Sequence, residues 1–140
     1  MKVLVDTSVW SLVMRRDVPS VHSAVDFLDE AVEREEIVTT GLILQELLQG
    51  FHGPRARREI LERFATVPLI VPQREDHIVA ADLRNECRRH GVQIDTVDAL
   101  LAQLCITHDL VMLTNDNDFT HLARYAPLKL WPGSTPRTPP

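Results

Sequence analysis

Short apolar runs recur along the chain at Val3–Val5, Ile37–Thr40, Leu69–Val71, Val111–Leu113 and Leu128–Leu130, and the most apolar of them do not alternate with polar residues. Strands that are apolar at successive positions are buried on both faces, which points to a parallel sheet covered by helices. The intervening segments carry helical spacing. Val21, Val25, Leu28 and Val32 mark a helix over Ser20 to Glu36, with Ser20 as its N-cap. Leu44, Leu47, Leu48 and Phe51 mark another, up to the break at Gly50 and Gly53-Pro54, and Pro54 can open the next, which runs through Ile60, Leu61 and Phe64. Glu75 to His90 reads as a helix ended by Gly91, Asp95 opens one containing Leu100, Leu101, Leu104 and Cys105, and Asp118 to Tyr125 is a short last one. Strands alternating with helices in this way predict a three-layer α/β domain, with a short parallel sheet flanked by helices.

A chain of 140 residues fits one such domain, expected over residues 1–131, and the proline-rich stretch over 132–140 is expected to be a disordered tail. No apolar run approaches the roughly 18 to 20 residues needed to span a bilayer, and the amino terminus enters Lys2-Val3-Leu4-Val5-Asp6 without a secretory h-region. Two cysteines are too few for a disulfide framework. A cytoplasmic location with no membrane contact is expected. The formal charge of −5 excludes the broad positive field of a protein that coats nucleic acid. Arg55, Arg57, Arg58 and Arg63, with Arg15 and Arg16 elsewhere, read first as solvated helix faces.

Two acids have an unusual setting. Asp6 directly follows the first apolar run, and Asp116 follows the run ending at Leu113-Thr114. Both would lie at carboxyl ends of parallel strands, the edge where α/β folds bind ligands. Asp98 stands in the first turn of the helix opened by Asp95, where a capping role is the plain reading. Glu46 lies roughly opposite the Leu44, Leu47 and Leu48 stripe, where a solvated face is the plain reading.

In combination these segments resemble the PIN-domain family: Asp6-Thr7-Ser8 after a first strand, a glutamate on an early helix, Asp98-Ala99-Leu100-Leu101-Ala102 on a late helix, and Thr114-Asn115-Asp116-Asn117-Asp118-Phe119 after the next strand. The order and spacing are similar to those of VapC-like toxins of VapBC toxin–antitoxin modules, from Lys2 to about Trp131. The stretch from Phe51 to Gln93 contributes only its order of elements. The resemblance implies a metal-dependent endoribonuclease. It implies Asp6, Glu46, Asp98 and Asp116 as catalytic and metal-holding acids, Asp118 as a fifth acid, and Thr7, Ser8 and Thr114 as supporting hydroxyls. It further implies an RNA substrate, a VapB-like antitoxin and a homodimer, with the antitoxin expected on apolar surface near Trp10 and the helices from Leu42 to Phe64.

The chemistry of such a cluster is direct. Two carboxylates about 5 Å apart repel by about 3 kcal/mol at an effective dielectric of about 20, so a cation must offset the charge. Hard oxygen donors suit Mg²⁺ or Mn²⁺, which can polarise a phosphodiester and activate a water. A phosphate could also rest on the helix that begins near Thr7.

Other readings fit less well. Cys87-x-x-His90 and Cys105-x-x-His108 form a Cys₂His₂ set on paper, but both pairs fall within helical stretches and Cys105 belongs to a core-like run. An aspartyl phosphatase of the haloacid-dehalogenase type needs a second acid where Ser8 stands. Receiver domains need an adjacent acidic pair where only Asp6 is present, and the only late lysine is Lys129. A stand-alone RNA-processing PIN nuclease and a catalytically silent PIN-fold binding module remain the alternatives to a toxin.

Overall fold

The computed structural model describes residues 1–15 and 23–132. Arg16, the Ser20 cap, Val21 and the tail beyond Pro132 lie outside them. The elements run β1 (Val3–Val5), α1 (Thr7–Met14), α2 (Ser23–Glu33), β2 (Ile37–Thr40), α3 (Gly41–Gly50), α4 (Pro54–Phe64), β3 (Leu69–Ile70), α5 (Arg74–Arg89), α6 (Thr96–Thr107), β4 (Val111–Leu113), α7 (Asn117–Leu122) and β5 (Lys129–Trp131). The strands form one sheet in the order β3-β2-β1-β4-β5, with every pairing parallel. The expected α/β architecture is present.

The unbroken apolar runs form the middle of the sheet. Leu4 and Val5 of β1 and Met112 and Leu113 of β4 are fully buried, as strands covered on both faces must be. Burying each such aliphatic side chain contributes about 1.5 to 3 kcal/mol. Local chemistry sets the helix ends. Ile43 N–H donates to Thr40 Oγ1 at 3.4 Å to start α3, and Pro54 opens α4 behind Gly53 at φ 98°. Gln73 and Asp76 cap α5 reciprocally, and the helix stops before Gly91, whose φ of 77° favours glycine.

Several details differ from the sequence reading. The helix α2 stops at Glu33 rather than Glu36, because Glu35 turns the chain at φ 55°. The last strand begins one residue later than expected, at Lys129, and α7 closes at Leu122 into a series of turns. The third strand lies at the sheet edge, leaving Leu69 exposed. Trp10, expected at a docking surface, is core: it is 2% exposed and packs on Phe64 with ring centroids 4.8 Å apart. No helix among the described residues is long and apolar enough to cross a membrane.

The strand order fixes where a ligand can enter. From β1 the chain builds outward through β2 to β3, then returns to lay β4 on the other side of β1. The crevice between the carboxyl ends of β1 and β4 is therefore the topological switch point, the usual ligand site of an open α/β sheet.

Candidate functional site

Asp6 and Asp116 flank that crevice. Asp6 follows β1 as the N-cap of α1, its N–H donates to Leu113 O at 2.9 Å, and its side chain is only 5% exposed. Two hydroxyls hold its Oδ2: Ser8 Oγ donates at 2.7 Å and Thr114 Oγ1 at 2.9 Å, while Thr7 Oγ1 reaches Oδ1 at 3.4 Å. The same hydroxyls bind the opposite loop. Asn115 N–H donates to Ser8 Oγ at 2.9 Å, and Asp116 N–H donates to Thr114 Oγ1 at 3.0 Å. Asp116 then caps α7 by accepting from Asp118 N–H at 2.9 Å. Removing the Thr114 hydroxyl breaks this link from both sides. Thr114→Val is expected to cost about 1 to 3 kcal/mol of stability, read as a lower urea midpoint; an unchanged midpoint would show that the hydroxyl holds nothing.

The helix α6 brings a third acid from its first turn. Asp95 caps the helix by accepting from Asp98 N–H at 2.8 Å. Carboxylate oxygens of Asp98, Asp116 and Asp118 all lie within 4.8 Å of one another. Burial first, and then the charges of Asp95, Asp6, Asp116 and Glu46, push the Asp98 carboxyl up to about 7. Glu46, on α3, is an exposed residue overall, yet its carboxyl is raised by partial burial and then by the charges of Asp6 and Asp95. Acids from four separate segments thus share one electrostatic field. Beneath them, burial and the charge of Asp6 push the Cys105 thiol far up, so it stays protonated.

The sequence-derived residues gather unevenly. Asp98, Asp116 and Asp118 are close enough to share one ion, whereas Asp6 and Glu46 are coupled to Asp98 through charge. Asp95 is the acid that sequence reading passed over. Its capping role was legible, but its influence on Asp98 and Glu46 depends on tertiary packing. The Cys/His set is not assembled: Cys87 and Cys105 are buried, and His90 stacks on Tyr125 and pairs with Glu86 at 3.0 Å. Among the described residues, Asp98, Asp116 and Asp118 are the three-member ligand group.

The donor set fits a hard divalent cation. All candidate ligands are carboxylate oxygens, and the Asp98 carboxyl retains its proton to about 7 when only protein charges surround it. Such a pocket is tolerable near neutral pH if a proton or a cation offsets its charge.

Comparison with known proteins bears on the fold. No curated protein matches the sequence. Among solved structures, the fold is similar to VapBC2 from Rickettsia felis, bound to a DNA fragment from their promoter (TM-score 0.74, 19% identity, covering 93% of this chain and 97% of that one). It is also similar to FitAcB from Neisseria gonorrhoeae (TM-score 0.68, 21% identity, 91% and 95%). A further similar structure is VapBC-5 from Mycobacterium tuberculosis, a member of the VapBC family of toxin–antitoxin systems (TM-score 0.64, 21% identity, 93% and 98%). The family model of the PIN domain matches residues 3–125, and the chain therefore belongs to the PIN-domain family.

Proposed function

We propose that this chain is a Mg²⁺- or Mn²⁺-dependent endoribonuclease and the toxin of a toxin–antitoxin pair. The reading rests above all on one observation: in a PIN domain, Asp98, Asp116 and Asp118 bring carboxylate oxygens within 4.8 Å of one another near the switch point of the sheet, and Asp6 and Glu46 act on Asp98 through their charge. Asp6, Glu46, Asp98 and Asp116 are the catalytic acids. With Asp118 they would hold the ion, which when bound offsets their charge, polarises a phosphodiester oxygen and makes a water more acidic.

The chain's own groups supply position. Ser8 and Thr114 fix the Oδ2 of Asp6, so this carboxylate does not reorganise when substrate arrives. Asp116, tied to Thr114 and to the start of α7, presents its carboxylate from the opposite loop. Asp98 and Glu46 accept hydrogen bonds from the attacking water and orient it in line with the leaving sugar oxygen. No covalent enzyme intermediate is needed.

The solved neighbours, several of which are VapBC structures, support the choice of partner. A VapB-like antitoxin is the cognate partner, and the chain pairs with itself as a homodimer in the cytoplasm. A short upstream reading frame for a DNA-binding protein would support the toxin role over that of a stand-alone processing nuclease.

The decisive assay incubates purified chain with total RNA, then maps the new RNA ends. Cleavage is expected with Mg²⁺ or Mn²⁺, to stop with EDTA and to return when the ion is added back. Intact RNA in the presence of either ion would remove the catalytic reading.

A further inference from the structure

We propose that Arg84 and Arg88 form a subsite for an RNA phosphate beside the acidic pocket, an assignment that rests on the nuclease reading above. A chain of net charge −5 that gathers acids at its active edge repels a polyanion, so substrate must be held by local cations next to the site. Such cations line a cleft of about 480 Å³ bounded by Arg84, Arg88, Val92, Gln93, Ile94 and Asp95.

The cleft adjoins the acids through Asp95. That residue lines it, while its Oδ1 accepts from Asp98 N–H at 2.8 Å. Arg84 and Arg88 are one helical turn apart on α5 and so share a face. The Nε of Arg84 donates to Ile94 O at 2.8 Å, which fixes its guanidinium against the loop entering α6. Among the described residues no ion pair joins either arginine to a carboxylate, and Glu86 of the same helix, two positions from each, pairs instead with Arg89 and His90. A guanidinium anchored at one nitrogen and free of a carboxylate is prepared for a phosphate oxygen. One phosphate of an extended RNA would occupy the metal pocket while a neighbouring one sits on the arginines.

The test uses the full chain and a fluorescein-labelled, ten-nucleotide single-stranded RNA. Arg88→Gln is the primary variant, since Arg88 is exposed and no side-chain hydrogen bond or ion pair of it is found among the described residues, and Arg84→Lys keeps the charge while losing the fork. Arg34→Gln serves as a charge-matched control. In EDTA, Arg88→Gln is expected to weaken RNA binding about tenfold and to lower the salt slope by about 0.7, with Arg34→Gln near wild type. In Mg²⁺ the same variant raises KM with kcat nearly unchanged, a split that loss of fold would not produce. Equal affinity and KM for Arg88→Gln and wild type would overturn the subsite, and the nuclease reading would stand if wild type cleaves. A wild-type chain that binds RNA through Arg88 but never cleaves would retain the cleft and remove the nuclease reading.

Discussion

Asp98→Asn is expected to raise the melting temperature of the metal-free protein at pH 7 while lowering RNA cleavage on the order of a thousandfold. The two effects have one origin. Asp98 is partly buried among Asp95, Asp6, Asp116 and Glu46, and each of these charges opposes its ionisation. An amide of the same shape keeps the packing and removes the repulsion. Its loss as a first-turn acid on α6 costs about 0.3 to 1 kcal/mol through the helix dipole, less than the repulsion relieved. A net gain of about 1 to 2 kcal/mol corresponds to about 4 to 8 °C in a domain of this size. Differential scanning fluorimetry and the cleavage assay on one preparation check both. Full activity with an unchanged fold would remove Asp98 from the mechanism, and a lower melting temperature would show that its carboxylate is stabilising.

The second large effect is on pH. In the native chain the Asp98 carboxyl keeps its proton to about 7, against an ordinary value of 3.8. Between those values the folded state binds more protons than the unfolded one, so the stability of metal-free protein falls as pH rises through that interval. Glu46, raised in the same direction, adds to the slope. Glu86 and Asp109 are shifted downward, and their contribution is lost only in more acidic solution. Between pH 5 and 8 the melting temperature in EDTA is therefore expected to fall by about 5 to 10 °C. With millimolar Mg²⁺ the slope should flatten, because the ion binds the ionised native site and stabilises it by mass action. Identical slopes with and without Mg²⁺ would show that the acids do not form a cation site.

Much of this was readable from residue order. Val3–Val5 and Val111–Leu113 are apolar at every position, a run that suits a doubly covered parallel strand, so the sequence alone sets Asp6 and Asp116 at strand ends. Leu69 was less legible: an apolar triplet reads the same at a sheet edge as at its centre, and only the pairing reveals its exposure. Trp10 was misread because aromatic residues serve both cores and docking surfaces, and the Phe64 that buries it arrives from a distant helix. Asp95 shows a different gap. A capping residue is recognised from its neighbours in sequence, whereas its electrostatic reach depends on which elements fold against it.

The pairing of β1 with β4 has a further consequence for when the acidic site can form. β1 and β4, far apart in sequence, meet directly, Leu4 opposite Met112, and the Ser8 and Thr114 hydroxyls close over Asp6 only when they do. Before β4 is in place, Asp6, Glu46, Asp95 and Asp98 are already present in the chain, but Asp116, Asp118 and the Thr114 hydroxyl that braces Asp6 are not. The acid cluster is therefore complete only once the segment from β4 to α7 has docked against β1, so it is a product of long-range folding rather than of any local segment.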